Sequence, residues 1–304
     1  MVLVLIGMIV VVLLLGSLAA TLAVYGRLGR IKHHFRGRVD RMQTELLIRT
    51  LLGDPRYSDP RHLCRFEARV YSQHGEDGIL SEILRRIGAT SRRFVEVGVG
   101  DGLENNTVYR LSQGWCGHWF EAGAANVEKV TACFDLERAR NRLRVVHARL
   151  TAENAAEAMR QHDVPIDLDL LSLDIDRNTS YLWRALAHLS PRVVVIEYNA
   201  SIPRDDEWEI VYEADAEWDK SFYFGASLKT LEVLGNSIGY TLAACDLSGS
   251  NAFFVRSDLV DDQFAGPFTA AALYEPPRYW LVGDRGHATR YGRARTFGDG
   301  QATP

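Results

Sequence analysis

Three alternating glycines with acids beside them form the first group of residues that could do chemistry. Within FVEVGVGDGLENNT (94–107) these are Glu96, Gly98, Gly100, Asp101 and Gly102. Glycine lets the backbone bend sharply and lie close to a ligand, because no Cβ is in the way. The stretch reads as a buried strand, a glycine turn and the capped start of a helix. Such a unit predicts a nucleotide-binding crevice at the carboxyl end of a parallel sheet.

The spacing of the glycines separates two kinds of nucleotide site. A dinucleotide fingerprint, G-x-G-x-x-G, needs a third glycine at position 103, where Leu103 stands. The pattern E-x-G-x-G-x-G is instead typical of sites for S-adenosylmethionine (SAM). Glu121 follows Gly102 at about the twenty residues expected for an acid that hydrogen-bonds ribose hydroxyls. We therefore predict a SAM site; a tight strand-to-helix turn without a cofactor is the alternative.

A second group of polar residues follows two later strands of the predicted sheet. Asp174 and Asp176 come after one apolar run, and Glu197 and Asn199 after the next. Reacting groups in open α/β sheets lie just beyond the carboxyl ends of the strands. These side chains could bind a hydroxyl acceptor and remove its proton as general base. Alternatively, Asp174, Glu197 and Asn199 could hold a hard cation such as Mg²⁺, or the acids could only cap helices.

Apolar runs alternate with helical patterns through most of the chain. Wholly apolar runs mark central strands that are buried on both faces of a parallel sheet. Strands are predicted at 94–97, 117–121, 144–148, 168–175, 191–197, 240–244 and 251–256, and helices at 79–87, 155–159, 181–189 and 227–238. This pattern predicts an α/β, Rossmann-like fold of the class I SAM-methyltransferase type. Its seven-stranded, mostly parallel sheet would end in an antiparallel hairpin.

The N-terminus carries an uncharged apolar stretch. No charged residue occurs in 2–25, and a helix of that length would span a bilayer core. Basic residues follow the stretch and none precedes it, which favours a retained anchor over a cleaved signal peptide. The positive-inside rule would place the N-terminus outside and the rest of the chain in the cytoplasm. We therefore predict a single-pass membrane protein with a cytoplasmic domain.

Composition and the positions of glycine and proline predict how the rest of the chain is divided into segments. We predict a transmembrane anchor at 1–25, a basic juxtamembrane segment and linker at 26–60, a methyltransferase-like domain at 61–265 and a C-terminal extension at 266–304 with a disordered end. A net charge of -4 gives no case for nucleic acid as a partner. The four cysteines lack C-x-x-C spacing, which argues against a zinc site or a disulfide framework.

With these residues in view, the chain resembles the FkbM-like group of SAM-dependent methyltransferases, and more closely a bacterial, membrane-anchored branch of it. The matching stretches run in order from 71 to 256 and include YSQHGEDGIL (71–80), FVEVGVGDGLENNT (94–107), LLSLDID (170–176) and VVVIEYNA (193–200). In such a site we expect Glu96 and the glycines to hold the methionine part of SAM and Glu121 to hold the ribose. The region of Asn154 should lie near the adenine.

The predicted function is O-methylation of a hydroxyl on a sugar, a polyketide or a lipid-linked glycan, with a divalent metal such as Mg²⁺ as an optional cofactor. One departure supports an alternative. Relatives usually continue the motif as D-I-D-G-N-D, whereas this chain has Arg177 and Thr179 in place of the glycine and the last acid. Arg177 could bind an anionic acceptor, or it could block the site and leave a catalytically degenerate, membrane-tethered scaffold protein. A nicotinamide oxidoreductase ranks third, because of Leu103.

Overall fold

The computed structural model describes residues 42–281, together with Ser17, Thr21, Arg290 and Tyr291. Of these, 52–281 and 290–291 belong to one unit, and the rest belong to another. In the smaller unit, residues 42–51 are helical.

The predicted anchor (1–25, apart from two residues), the basic segment up to residue 41 and the C-terminal end lie outside the described residues. Within the residues that the structure does describe, no helix combines the length and the apolar character needed to cross a bilayer. The membrane anchor and the cytoplasmic placement of the domain stay predictions.

The larger unit is built on one sheet of seven strands. They are β1 (Arg93–Val97), β2 (Cys116–Glu121), β3 (Leu143–His147), β4 (Leu170–Leu173), β5 (Val193–Glu197), β6 (Tyr240–Cys245) and β7 (Asn251–Arg256). The strand order is β3-β2-β1-β4-β5-β7-β6. The first five strands are parallel, and β7 runs antiparallel to both β5 and β6. The predicted Rossmann-like fold, with its terminal antiparallel hairpin, is confirmed.

Six of the seven strands differ from the predicted bounds, each by one or two residues at an end. β3 begins and ends one residue earlier than expected, and β4 is shorter than the predicted 168–175. At the amino-terminal end of β4, the side chain of Asp169 is bonded to the loop that precedes β1. The Asp169 carboxylate accepts from the backbone amides of Thr90, Ser91 and Arg92.

Helices cover both faces of the sheet. They are α1 (Glu76–Ile87), α2 (Val108–Ser112), α3 (Ala124–Cys133), α4 (Asp135–Ala139), α5 (Ala155–Gln161), α6 (Thr179–Ala185), α7 (Leu228–Ser237) and α8 (Ala270–Leu273). Alternate strand residues point to opposite faces. Val95 and Val97 therefore join one buried cluster with Trp183, and Phe94 joins the other with Trp119.

Segments on both sides of the predicted 61–265 domain pack into the same unit. Tyr57 is buried, and its hydroxyl donates to Glu275 Oε1 at 2.7 Å. Glu275 is also fully buried and pairs with Arg56 (3.0 Å) and Arg278 (2.9 Å). Part of the predicted linker and part of the predicted extension are therefore held together by a buried carboxylate.

The backbone at the end of β1 is packed closely against the neighbouring strands. Gly98 has φ +84°, and a Cβ added there would lie 1.6 Å from the carbonyl oxygen of Asp174. Its amide donates to Phe120 O at 3.0 Å, so the backbone of β1 is confined between β2 and β4. Only glycine combines this left-handed conformation with this close approach.

The variant Gly98→Ala should therefore destabilise the domain far more than a substitution at another left-handed glycine. Gly239 has φ +87° with no atom near its missing Cβ, so Gly239→Ala isolates the conformational cost, about 1 kcal/mol. We expect Gly98→Ala to lower the free energy of unfolding by about 3 kcal/mol or more. Urea unfolding measures both values, and equal losses would contradict the proposed backbone clash.

Candidate functional site

The glycine turn after β1 is held by the carboxylate that ends β2. Glu121 Oε2 accepts hydrogen bonds from the backbone amides of Val99 (3.0 Å) and Gly100 (2.8 Å). Its other oxygen accepts from Gly123 N (2.7 Å) and Asn126 Nδ2 (3.3 Å). A carboxylate offers about four acceptor positions, so protein donors already fill them. A ribose hydroxyl, the partner predicted for Glu121, would have to replace one of these donors.

Glu96, predicted to hold the methionine part of SAM, is buried and bonds to the protein itself. Its carboxylate accepts from the amides of Asn106 (2.9 Å) and Thr107 (3.2 Å), and also from the hydroxyls of Thr107 and Ser172. Burial raises the pKa of Glu96, and these hydrogen bonds oppose that rise. Glu96 thus ties the start of α2 to β4 beside the glycine turn.

Two clefts open at this edge of the sheet, and Gly98, Gly100 and Asp174 line both of them. The large cleft has a volume of about 670 Å³ and extends past Glu121 to Trp218. The acidic cleft has a volume of about 330 Å³. Its lining includes five acids: Glu76, Glu96, Asp101, Glu104 and Asp174. Cavities of this size commonly hold small-molecule ligands.

The predicted cofactor residues divide between the clefts and the surrounding packing. Gly100 lines both clefts, and no atom lies within 4 Å of the position its Cβ would take, so a ligand has room there. Gly102 instead gives space to the side chains of Val130 and Phe134. Asn154 lines neither cleft and bonds to the backbone of its own turn, donating to Arg149 O at 3.0 Å.

Asp174, Asp176 and Glu197 form a cluster at the carboxyl ends of β4 and β5. One carboxylate oxygen from each lies within 4.8 Å of the others. Desolvation by the surrounding protein, followed by the charges of Asp176 and Glu96, raises the pKa of Asp174 to about 7. Solvent still reaches the side chain through the clefts. Burial, with the charges of Asp174 and Asp176, raises the pKa of Glu197 well above its ordinary value. Glu197 Oε2 has no hydrogen-bond partner among the described residues.

Two further features distinguish the predicted catalytic residues. Asp176 has φ +63°, a conformation that is uncommon for residues other than glycine and that tends to occur at functional sites. Asn199 instead serves the backbone, because its Nδ2 donates to Phe222 O (2.8 Å) and Phe224 O (2.9 Å), and its Oδ1 accepts from Ser201 N (3.0 Å). The structure therefore brings together the three acids of the predicted catalytic set, while Asn199 holds the loop beside them.

Arg177 and Thr179, the two departures from the resembled motif, both lie outside the linings of the two clefts. Arg177 is 8% exposed. Its guanidinium pairs with Glu213 at 3.5 Å and lies over the ring of Tyr223 at 5.8 Å. Thr179 is buried at the start of α6. Neither side chain blocks the clefts.

The loop 198–227, between β5 and α7, supplies site residues that the sequence did not reveal. Trp218 and Lys220 from this loop line the large cleft. Glu217 pairs with Arg149 (2.8 Å) across the cleft, since both residues belong to its lining. A loop of this length within a packed domain is itself a signal of function, but it has no periodicity that would single out individual side chains.

Comparisons with solved structures find weak likenesses. An O-methyltransferase from Bacillus cereus in complex with SAH has a TM-score of 0.40 and 14% identity, and the match covers 62% of this chain and 83% of that one. The N-terminal domain of EvdMO1, with SAH bound, has a TM-score of 0.40 and 15% identity, over 61% of this chain and 81% of that one. The [4+2]-cyclase SpnF has a TM-score of 0.36 and 9% identity, over 59% and 67%.

No family model matches the chain, and no curated protein matches it. The resemblance to the FkbM-like group stays a prediction. Since the structural likenesses are low in both identity and TM-score, the chemistry of the site rests on its own residues.

The raised pKa of Asp174 makes stability depend on pH in a defined direction. The folded protein binds the Asp174 proton more tightly than the unfolded chain does. Binding of this proton therefore contributes fully to the free energy of unfolding below about pH 4, and the contribution is lost as the pH rises through 7. Asp174→Asn should match the wild type near pH 4. At pH 8 it should be more stable by about 1–2 kcal/mol, a value reduced for solvent screening.

Urea unfolding at several pH values between 4 and 8 measures this difference. Asp215→Asn, at an exposed aspartate, is the matched control and should show a difference from wild type that does not change with pH. A pH-independent difference for Asp174→Asn as well would contradict the assigned pKa.

Proposed function

We propose that the protein is a SAM-dependent methyltransferase that transfers a methyl group to a hydroxyl oxygen. The main support is the cluster of Asp174, Asp176 and Glu197, which lies beside the glycine turn at the point where the strand order reverses between β1 and β4. Ligands of open α/β sheets bind in the crevice at such a point.

The charge of the clefts suits SAM, which carries a sulfonium and an ammonium cation. Five acids line the acidic cleft, and they create a negative potential beside Gly98 and Gly100. The large cleft continues from there toward Glu121 and offers the volume for a nucleoside. In this arrangement the methionine part lies in the acidic cleft, and the nucleoside part lies in the large cleft near Glu121.

The bound cofactor supplies the electrophilic methyl group, and the chain must orient the acceptor and take its proton. Asp174 fits the role of general base, since its pKa of about 7 leaves a substantial fraction ionised at neutral pH. Asp176 and Glu197 lie close enough to hydrogen-bond the same acceptor, and the neighbouring charges keep Asp174 basic enough to remove a proton.

The acids also limit the class of acceptor. An anionic phosphate or carboxylate close to these acids would be repelled, whereas a neutral hydroxyl would not. Arg177, the one cation predicted to bind an anionic acceptor, is turned toward Glu213 instead. This favours a neutral hydroxyl of a sugar, a polyketide or the glycan part of a lipid-linked acceptor. The predicted membrane anchor would bring the domain close to a lipid-linked acceptor.

A divalent cation is a second candidate occupant of the acid cluster. Hard cations such as Mg²⁺ take carboxylate oxygens, and the unpartnered Glu197 Oε2 offers one. The candidate ligands are Asp174, Asp176 and Glu197 rather than the predicted set with Asn199, because both polar atoms of Asn199 are already bonded to backbone.

The alternative, a catalytically degenerate scaffold protein, is less well supported. It depended on Arg177 and Thr179 closing the site, and both lie outside the linings of the two clefts. Three clustered carboxylates with raised pKa values are more consistent with an active site.

Titration of SAM into the full-length chain in a non-ionic detergent tests the cofactor. We expect micromolar binding, weakened at least about tenfold by Glu121→Gln, which removes the charge that holds the glycine turn. Glu128→Gln, on the exposed face of α3, removes the same charge outside the clefts and should leave the affinity unchanged. A folded wild-type chain that binds no SAM would refute the proposal and favour a scaffold.

Catalysis is tested by SAH formation with a panel of neutral sugar, polyketide and lipid-linked glycan acceptors. Because a base must be deprotonated, kcat should rise with pH through about 7. Asp174→Asn should lower kcat by about 10²–10⁴-fold while SAM binding is retained. Activity that survives EDTA would support the general base, and activity that EDTA abolishes and Mg²⁺ restores would support the metal. A fully active Asp174→Asn variant would exclude both roles.

A further inference from the structure

A second cleft lies at the opposite, amino-terminal edge of the sheet. It has a volume of about 530 Å³ and is formed where β1, β2 and β3 begin, beneath the end of α5. Its lining is basic: Arg93, His118, Arg138, Arg142, Arg144 and His162, with Asp163 as the one acid among its lining residues. This amino-edge cleft is opposite in charge to the acidic cleft, in a chain whose net charge is -4.

The strand register explains why the basic side chains gather there. Paired residues of neighbouring parallel strands point to the same face of the sheet, as do residues two apart on one strand. His118 pairs with Arg144 and also with Val95, which lies two residues after Arg93. Arg93, His118 and Arg144 therefore project from one face of three adjacent strands, near the edge where the apolar core ends.

The guanidinium groups differ in how much of their charge is already paired. Arg142 pairs with the buried Glu137, while Arg144 donates to His162 O (2.9 Å) and lies 3.6 Å from Asp163. Arg93 and Arg138 are exposed, and neither side chain has a hydrogen-bond or ion-pair partner within the described part of the chain. These two cations are available to a ligand.

Buried polar atoms beside the cleft also lack partners. Arg142 Nε and His162 Nδ1 are inaccessible in the structure and have no hydrogen-bond partner among the described residues. Both atoms are closed off from the cleft itself, so they belong to the packing around it and are not contacts for a ligand. Burial, and then the charge of Arg144, lowers the pKa of His118 to about 4, so His118 is neutral at pH 7 and the arginines carry the positive charge.

We propose that the amino-edge cleft binds a phosphate-bearing small molecule or headgroup, with Arg93 and Arg138 as its principal charged contacts. A phosphate presents more acceptor oxygens and more charge than a carboxylate, and guanidinium groups bind it through paired hydrogen bonds. The cleft is larger than one phosphate needs, which leaves room for the organic part of the ligand. This site is separate from the proposed SAM site, so the two proposals can be tested independently of each other.

Calorimetric titration of the full-length chain in a non-ionic detergent tests the site. Inorganic pyrophosphate and a short-chain phosphatidylglycerol are the two probes, and a short-chain diacylglycerol, which lacks the phosphate, is the comparison. We expect Arg93→Gln with Arg138→Gln to weaken anion binding at least about tenfold, and we expect added salt to weaken wild-type binding. Both side chains are exposed, so the variant should keep its far-ultraviolet circular dichroism and its SAM affinity.

Arg140→Gln with Arg204→Gln removes the same charge from two exposed arginines outside the cleft lining, and it should bind the probes as the wild type does. Binding of pyrophosphate that depends on Arg93 and Arg138 would support a soluble phosphorylated ligand. The same dependence with phosphatidylglycerol alone would support a lipid headgroup. The proposal is overturned if neither anion binds, if the diacylglycerol binds equally well, or if the Arg93 and Arg138 double variant binds the anions no more weakly than the Arg140 and Arg204 double variant.

Discussion

The close contact between β1 and β4 at Gly98 and Asp174 determines where the glycine turn and the acid cluster lie at the carboxyl edge of the sheet. With a Cβ at position 98, the carbonyl of Asp174 could not stay where it is, and the two strand ends would separate. Their close contact brings the glycine turn within reach of Glu121 on one side and the acids after β4 and β5 on the other. One backbone contact thus joins the two halves of the candidate site.

The acids at this edge fall into two groups with different physical roles. Glu96 and Glu121 are buried, but backbone amides and hydroxyls offset much of the cost of burying them. Glu121 holds the glycine turn, and Glu96 holds the start of α2. Asp174, Asp176 and Glu197 have much less compensation: burial raises the pKa of all three, and neighbouring charges raise those of Asp174 and Glu197 further. Clustered carboxylates of this kind are common at functional sites, so the second group is the candidate reacting centre.

The sequence was sufficient to predict the seven strands, the terminal antiparallel hairpin and the edge of the sheet at which the glycines and acids lie. Apolar runs fix the strands, and the glycines and acids fall at strand ends, where parallel topology collects them. The side-chain roles were less predictable, since Asn199 and Asn154 turned out to bond to backbone that the sequence pattern does not describe. Arg177 shows the same limit, because only the folded loop 198–227 provides the Glu213 partner that draws its charge away from the clefts.

The loop 198–227 links the departure at Arg177 to the shape of the large cleft. Arg177 pairs with Glu213, and Arg149 pairs with Glu217, so two ion pairs hold the loop just before Trp218. A glycine at position 177 would leave Glu213 without that partner. The arginine is therefore better understood as a residue that contacts the loop beside the large cleft than as one that closes the site. On this argument the departure from the resembled motif changes how the loop beside the large cleft is held, while the acid cluster is kept.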